Sequence, residues 1–392
     1  MTLLYIAWKN LRYRWNSHLL SLLLFSISIG ILWAVHEFAR QSEEKLKANL
    51  AQTDLVIGAK GSPLQIILSS LYHIDAPTGN ISYIEAKRWM HHPMIRQAIP
   101  LAYGDYYQQY KIIGSDTGIL SWYGVQLAEG NVWHQAGDVV LGAALAHQTH
   151  LQIGSTFSGQ HGSMDAEAEH GQYRVVGILE PKGTVIDQLV LCALETVWAV
   201  HEKHGAVLAD SAKEVTAVLL RYKNPMAAIQ IPRAINENSN LQAAAPSIEI
   251  NRLAFMLNNG TDVIAYLAIG LFVLAALSML IQVWMGLKVR KKELALLRYT
   301  GYTRSRILLL LYYEIAFISL LSFVFGEMLA RVLLHTFSDA LAFGSSYTLN
   351  ATHFTSFDLL LLGMPLLIAG LPLLFNLRSI FRSSVADLLQ NE

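Results

Sequence analysis

The sequence has few of the groups that give a protein covalent stability or reactivity. Its 392 residues include a single cysteine, Cys192, so an internal disulfide is excluded. Positive and negative side chains balance to a formal net charge of zero, and we predict no nucleic-acid partner. What the chain does depends instead on where its apolar residues and charges lie.

Motifs for nucleotide binding and catalysis are also missing. No G-x-x-x-x-G-K-[ST] phosphate loop occurs, and the nearest sequence, Gly58-Ala59-Lys60-Gly61, lacks the required spacing. There is no G-x-S-x-G motif, no H-E-x-x-H motif and no paired carboxylate pattern. We therefore predict a non-enzymatic chain with no catalytic residue and no cofactor of its own, which takes its energy from another protein.

Hydrophobic residues are in excess. They make up 53% of the chain, against about 45 to 50% in soluble domains. They concentrate in four blocks, each close to the roughly 20 residues that cross a bilayer as a helix. This pattern predicts a membrane α-helical protein with four transmembrane helices and a large α+β extracytoplasmic domain of two interleaved subdomains.

The predicted segments are an amphipathic interfacial helix (1–18), transmembrane helix 1 (19–38), an extracytoplasmic stalk and domain (39–261), transmembrane helix 2 (262–285), a cytoplasmic segment (286–306), transmembrane helix 3 (307–330), an outer loop (331–356), transmembrane helix 4 (357–376) and a cytoplasmic tail (377–392).

The charge distribution sets the predicted orientation. The N-terminal 18 residues carry Lys9, Arg12 and Arg14 with no acid, and the segment 286–306 is strongly basic, whereas 39–261 has more acids than bases. Because Lys and Arg near membrane ends are retained in the cytoplasm, the two basic pieces are predicted inside and the long segment outside.

The outer segment shows mixed helix and strand patterns. Strong helix formers after Phe38 predict that the first membrane helix continues as a stalk, and a weaker second stalk precedes transmembrane helix 2, where Asn258-Asn259-Gly260 could interrupt it. We also predict a capping box formed by Ser82 and Glu85 and a hairpin that turns at Gly104-Asp105.

The basic segment 286–306 has helical character. Residues 293–299 are good helix formers, Leu294 and Leu297 can share one side, and Gly301 is a suitable stop. We predict a short helix under the membrane that contacts a cytoplasmic partner. The alternative is a basic topology signal alone, which explains the charges but not the helical pattern.

Two acids lie within the third apolar block, where a charged carboxylate costs roughly 2.5 to 3.5 kcal/mol on insertion scales. Glu314 is close enough to the inner face to snorkel or to pair with a basic residue there, and Glu327 precedes Arg331 by four residues, a helical ion-pair spacing. We favour structural roles for this intramembrane charge over an ion pathway.

One loop is rich in metal-binding residue types. It contains His161, Asp165, Glu167, Glu169 and His170, and zinc is bound by imidazole and carboxylate groups. The favoured interpretation is a solvated hairpin loop, and the alternative is a zinc site. Equal zinc affinity with and without these residues would exclude the metal.

The layout resembles the MacB, FtsX and LolC/LolE-type permeases of ABC transporters over essentially the whole chain. The residues that carry the resemblance most specifically are the run Arg290-Lys291-Lys292-Glu293-Leu294, then Leu297, Arg298 and Gly301, which is similar to the family's coupling segment. The strand Tyr173 to Leu179 resembles a family strand of the outer domain, whereas the His- and acid-containing loop before it departs from the pattern.

The resemblance implies a dimer, homomeric or heteromeric, in a bacterial inner membrane, with its large domain in the periplasm or outside the cell. It also implies a separate cytoplasmic ATPase that uses ATP and Mg²⁺ and binds the coupling segment, and it allows a periplasmic protein partner. Such permeases export or extract substrates, or convert ATP cycling into movement of the outer domain (mechanotransmission). Two alternatives remain open: a membrane-anchored sensor or scaffold without transport, and a metal-ion carrier that uses Glu314 and Glu327.

Overall fold

The fold is taken from a computed structural model, which describes residues 3–13, 15–160, 169–201, 212–289, 291–341, 355–367 and 370. The chain divides into two compact units. The helical unit comprises Met1–Gln41, Leu257–Ala340 and Leu349–Glu392, and the sheet unit comprises Ser42–Met256 and Leu341–Thr348.

The helices are α1 Leu3–Tyr13, α2 Trp15–Asn49, α3 Pro63–Leu71, α4 Tyr83–Met90, α5 Gly118–Tyr123, α6 Ala143–Thr149, α7 Leu194–His201, α8 Ala227–Asn238, α9 Pro246–Val289, α10 Lys291–Tyr299, α11 Arg304–Leu341 and α12 Ser356–Leu367. The strands are β1 Leu55–Ala59, β2 Ile81–Ser82, β3 Ile95–Tyr107, β4 Tyr110–Ser115, β5 Leu127–Gly130, β6 Asp138–Leu141, β7 Thr156–Gln160, β8 Glu169–Leu179, β9 Val190–Ala193, β10 Glu214–Val215, β11 Ala217–Tyr222 and β12 Leu241–Ala244.

Three helices in the described part of the chain are long and apolar enough to cross a membrane, judged by length and composition. Their spans are His18–Asn49, Pro246–Gln282 and Ser305–Thr336, and α12 is a shorter apolar helix. Apolar helices that could span a membrane are thus confirmed. The fourth transmembrane helix stays a prediction, because most of 368–376 lies outside the described residues.

The helical unit packs closely where α2 meets α11. A Cβ atom on Gly30 would lie 2.9 Å from the carbonyl oxygen of Gly326, and one on Gly326 would lie 2.8 Å from that of Ser26. Small residues allow such close approach between helices in a membrane. Phe25, Ile29 and Trp33 of α2 are almost fully buried around this crossing.

The helix ends differ from the predicted ones at the N-terminus and at α9. The interfacial helix was predicted over 1–18, whereas α1 ends at Tyr13 and α2 already begins at Trp15. Helix α9 runs unbroken through Asn258-Asn259-Gly260, so these residues do not interrupt the helix that precedes the second membrane segment. Since α2 extends to Asn49, the predicted continuation of the first membrane helix is confirmed.

The sheet unit contains a ten-stranded mixed sheet in the order β12-β1-β11-β3-β4-β9-β6-β8-β5, with β7 pairing to β3 and β8. The β4–β9 and β6–β8 pairs are parallel. Alternating residues enter two cores: Leu55 and Ile57 of β1 join one and Val56 joins the other, because successive side chains point to opposite faces. The α+β character is confirmed, and the division into two subdomains stays a prediction.

Two local predictions were wrong. Strand β3 continues through Gly104-Asp105, with a register shift between Tyr103 and Tyr106, and the hairpin turns after Tyr107. Asp105 remains in the sheet because it is buried and accepts a hydrogen bond from the Tyr173 hydroxyl at 3.3 Å.

The second concerns the start of α4. Ser82 makes no side-chain capping bond, because it pairs in β2 with Glu214 and the first helical N–H group donates to the Lys213 carbonyl at 3.0 Å.

Candidate functional site

Helix α10 is a short, separately terminated helix between the long helices α9 and α11. The Tyr302 N–H donates to the Leu297 carbonyl at 3.0 Å, and the Gly301 N–H donates to the Arg298 carbonyl at 3.1 Å. These two bonds, with Gly301 at φ +93, form a Schellman cap, which favours glycine at the left-handed position. The predicted helix and its glycine stop are confirmed.

The exposed face of α10 differs from the predicted one. Leu297 packs against the core of the helical unit, so it is not available to a partner. Leu296 is 60% exposed and Tyr299 79% exposed, and Glu293 is exposed beside them. Arg290 and the side chains of Lys291 and Leu294 lie outside what the structure describes, and Arg298 is half-buried.

The first acid in α11 is bound to another helix. Glu314 is 9% exposed, and its Oε1 accepts a hydrogen bond from the Asn10 amide of α1 at 2.8 Å. The Asn10 amide is one partner of Glu314, and the predicted pairing with a basic residue stays a prediction. This contact ties the amphipathic helix α1 to α11 within the helical unit.

The second acid belongs to a larger polar cluster. Glu327 pairs with Arg331 at 3.1 Å, as predicted, and the Arg331 guanidinium lies 5.7 Å from the Trp33 ring centroid. The Trp33 indole donates to Asp358, which is fully buried and also accepts from the Thr355 hydroxyl at 3.2 Å. The cluster thus joins α2, α11 and the start of α12.

Another buried acid, Glu37, lies one turn beyond Trp33 on α2. It accepts hydrogen bonds from Arg40 Nε at 3.0 Å and Gln41 Nε2 at 2.7 Å. The sequence analysis missed Glu37 and Asp358. Both were open to the same signal, an acid inside a predicted span, since Glu37 lies within 19–38 and Asp358 within 357–376.

The two acids of α11 do not form one ion site. Glu314 and Glu327 are 13 residues apart, about 20 Å along a helix, and each has its own partner. The described ranges contain no group of three or more His, Cys, Asp or Glu residues that could hold a metal ion. The candidate zinc loop lies outside the described residues, apart from the backbone of Glu169 and His170, so zinc binding there stays a hypothesis.

The end of α2 enters the sheet unit through a strained, polar turn. Ala51 and Gln52 have φ +46 and +58, a conformation that costs energy in non-glycine residues. Arg221 of β11 donates to their carbonyl oxygens at 2.7 and 3.2 Å and to that of Trp122 at 2.9 Å. Its guanidinium also stacks 4.0 Å from the Trp122 ring centroid.

Further bonds fix the last turn of α2 itself. The Tyr72 hydroxyl donates to the Leu46 carbonyl at 2.6 Å, and the Val185 N–H donates to Asn49 Oδ1 at 2.9 Å. We call the Arg221, Tyr72 and Asn49 contacts the α2 junction. No sequence pattern predicts this junction, because a strand arginine or a loop tyrosine does not identify its distant partner.

The start of α9 meets the same unit differently. Ile250 is 2% exposed and belongs to the core cluster that also contains Leu46, and the partly buried Leu253 packs against that cluster. We call these contacts the α9 junction.

Comparison with known proteins identifies the C-terminal region. Residues 265–385 match the family model described as FtsX-like permease C-terminal. No curated protein matches the chain in sequence.

Two solved structures are similar at low identity. The periplasmic region of MacB from Actinobacillus actinomycetemcomitans has 9% identity and a TM-score of 0.36, covering 52% of this chain and 94% of that one. The extracellular domain of the noncanonic ABC-type transporter YknZ from Gram-positive bacteria has 9% identity and a TM-score of 0.33, covering 48% of this chain and 98% of that one.

Proposed function

The chain carries an FtsX-like permease C-terminal domain in residues 265–385, and from this premise we propose that it is the permease subunit of an ABC transporter. The match to that domain is the observation that carries the proposal. ATP hydrolysis takes place in a separate cytoplasmic ATPase, two permease copies form a dimer, and the chain resides in the inner membrane of a bacterium.

In this proposal, α10 is the helix that binds the ATPase and receives its movement. This helix lies within the matched region, is closed by a Schellman cap, and exposes Leu296 and Tyr299. Exposed apolar and aromatic side chains on a short helix suit an apolar groove on a partner, because such anchors dominate binding energy. Glu293 and the neighbouring basic residues orient the contact by charge.

In this proposal, α2 transmits the movement to the sheet unit. Its 35 residues run from Trp15 to Asn49 without a break, and a continuous helix can carry a tilt along its length. The α2 junction gives that tilt a defined attachment in the sheet unit. The output is mechanotransmission, in which the outer domain moves to export or extract a substrate at the outer face, and a periplasmic protein is a candidate partner.

The buried acids have structural roles in this proposal. Glu314 bonds Asn10, and Glu327 pairs with Arg331, so each is compensated locally. The separation of these sites and their separate partners argue against a metal-ion carrier.

The test of this proposal is whether a variant of α10 loses binding to the ATPase. Leu296→Asp with Tyr299→Asp places two charges on the exposed face of α10 without touching Leu297 in the core. Co-purification with the ATPase should fall by at least about tenfold, while membrane insertion stays unchanged. The matched control is Ile229→Asp, a 70% exposed isoleucine in the sheet unit, which should leave ATPase binding intact.

Retained ATPase binding in the double variant would remove α10 as the coupling element. Absence of any co-purifying ATPase with the unmodified chain would contradict the permease proposal and favour the sensor or scaffold.

A further inference from the structure

A small cavity in the sheet unit is unexplained by the proposed function. It has a volume of about 110 Å³ and lies between the last turn of α2, the start of β4 and the loop before β9. Its polar lining residues include Lys45, Asn49, Lys111 and Thr184. The volume is enough for a group larger than one water molecule.

The charge of the lining is one-sided. Two lysines line the cavity and no aspartate or glutamate does. The Lys111 ammonium donates to the Asp75 carbonyl at 2.7 Å and lies 5.1 Å from the Tyr103 ring centroid, which fixes it at the rim. Burial lowers the pKa of Lys111, and the Asp75 carboxylate outside the cavity offsets part of this. A bound anion would raise the pKa in the same direction as Asp75 does.

The neutral groups of the lining favour the same kind of ligand. The Thr184 hydroxyl is buried and has no hydrogen-bond partner among the described residues, and an unmade buried bond costs about 1 to 3 kcal/mol. Asn49 already uses its Oδ1 to accept from Val185, so its remaining polar group is an NH₂ donor.

His73 completes the wall without adding charge. Its Nδ1 lies 2.8 Å from the Tyr103 hydroxyl, and burial together with Lys111 lowers its pKa to about 3. The imidazole is therefore neutral near pH 7. Two lysines and several hydrogen-bond donors in the lining of a compact cavity match a tetrahedral dianion, because charge-assisted bonds to phosphate oxygens are among the strongest in proteins.

We propose that this cavity binds a phosphate group through Lys45, Lys111 and the Thr184 hydroxyl. Lys45 follows Phe38, the end of the predicted membrane segment, by seven residues, about 10 Å along a helix. The phosphate group can therefore come from a lipid headgroup or from free phosphate. Bound phosphate would join α2 to the loop before β9, next to the α2 junction.

The test uses the full-length chain in two arms. In a maltoside detergent without lipid phosphate, inorganic phosphate is titrated by calorimetry. In nanodiscs of phosphatidylcholine with and without phosphatidylglycerol, retained lipid is measured by native mass spectrometry. Binding of inorganic phosphate at one site per chain identifies a free-phosphate site, and selective retention of phosphatidylglycerol identifies a headgroup site.

Lys45→Gln with Lys111→Gln should weaken binding in the responding arm by at least about tenfold. Lys47→Gln is the matched control, since this neighbouring lysine is 58% exposed and pairs with Glu43, and it should change nothing. Thr184→Val keeps every charge, should weaken binding several-fold, and gives a result if the double lysine variant does not fold. Binding in neither arm, or unchanged binding in all cavity variants, would overturn the proposal.

Discussion

The two long helices that meet the sheet unit are held in different ways. At the α2 junction, Arg221, Tyr72 and Asn49 make directional hydrogen bonds around a strained turn. At the α9 junction, Ile250 and Leu253 are held by apolar burial. Burial stabilises without fixing direction, whereas hydrogen bonds weaken steeply away from good geometry.

Under the proposed function, the difference gives the two helices separate tasks. The α2 junction can pass rotation and tilt of the helix into the sheet, since any movement must carry the bonded strand and loop with it. The α9 junction can retain the helix while it shifts. Changes at the two junctions should therefore separate stability from coupling.

The largest expected effect is loss of movement when α2 is interrupted after its apolar block. Insertion of two glycines between Glu44 and Lys45 should abolish ATP-driven movement of the outer domains, because glycine weakens the helix by about 1 kcal/mol per residue and the insertion rotates everything beyond it. ATP hydrolysis by the partner should stay within about twofold of normal.

The measurement is energy transfer between dyes on Ile229→Cys in the two copies. Cys192 does not interfere, because its thiol is fully buried and burial raises its pKa well above the usual value. The same insertion between Gln108 and Gln109, in the exposed β3–β4 turn, is the control and should leave the movement intact. Movement that survives the Glu44 insertion would exclude α2 as the lever.

The second effect is on stability at the α9 junction. Ile250→Ala should lower the free energy of unfolding of the sheet unit by about 3 kcal/mol, because it leaves a cavity in a closely packed core. Denaturant unfolding followed by tryptophan fluorescence measures this. ATP-driven movement should persist at temperatures where the variant is folded, and its loss there would show that both junctions transmit.

The third expected effect is a loss of coupling that is larger than the loss of stability. Arg221→Ala should cost less stability than Ile250→Ala, about 2 kcal/mol from the lost charged hydrogen bonds, yet should uncouple ATP hydrolysis from movement. Arg221→Lys keeps the charge but lacks the planar fork that reaches several carbonyls, so it should be intermediate in coupling. Arg233→Ala removes an exposed arginine paired with Glu237 and should cost less than about 0.5 kcal/mol. Full coupling in Arg221→Ala would contradict the assignment.

The smallest effect is a pH dependence beside the α2 junction. The pKa of His73 is lowered to about 3 by burial and by Lys111, whereas an unfolded histidine has a pKa near 6.5. Below pH 6.5 the unfolded chain binds a proton that the folded one does not. The free energy of unfolding should therefore fall by about 1 kcal/mol between pH 7 and 5.5 through this group. Urea titrations at several pH values measure this dependence. The substitution His73→Gln should remove it, and the control His147→Gln, at an exposed histidine, should keep it.

Much of the architecture was predictable because it depends on local pattern. Long apolar runs predict membrane helices, and the run of helix formers up to Asn49 predicts the extended α2. The glycine stop of α10 is also local, because Gly301 alone suits the left-handed cap. The coupling role of α10 remains a prediction.

What could not be predicted depends on distant partners. Asp105 looks like a turn residue until Tyr173, 68 positions away, is seen to satisfy its carboxylate. Helical spacing does not show which side of α10 faces a partner. Leu297 packs against the core of the helical unit, so Leu296 is the exposed leucine. The Arg221 contacts need the pairing of β1 with β11 before they exist.

That pairing has a consequence for how the protein is made. Strand β1 lies between β11 and β12, whose residues are synthesised about 160 or more positions later, a delay of roughly 10 to 30 s at 5 to 20 residues per second. During this interval β1 has two unpaired edges, a condition that promotes misassembly between chains. Both edges of β1 are therefore covered only after the chain has been synthesised as far as residue 244.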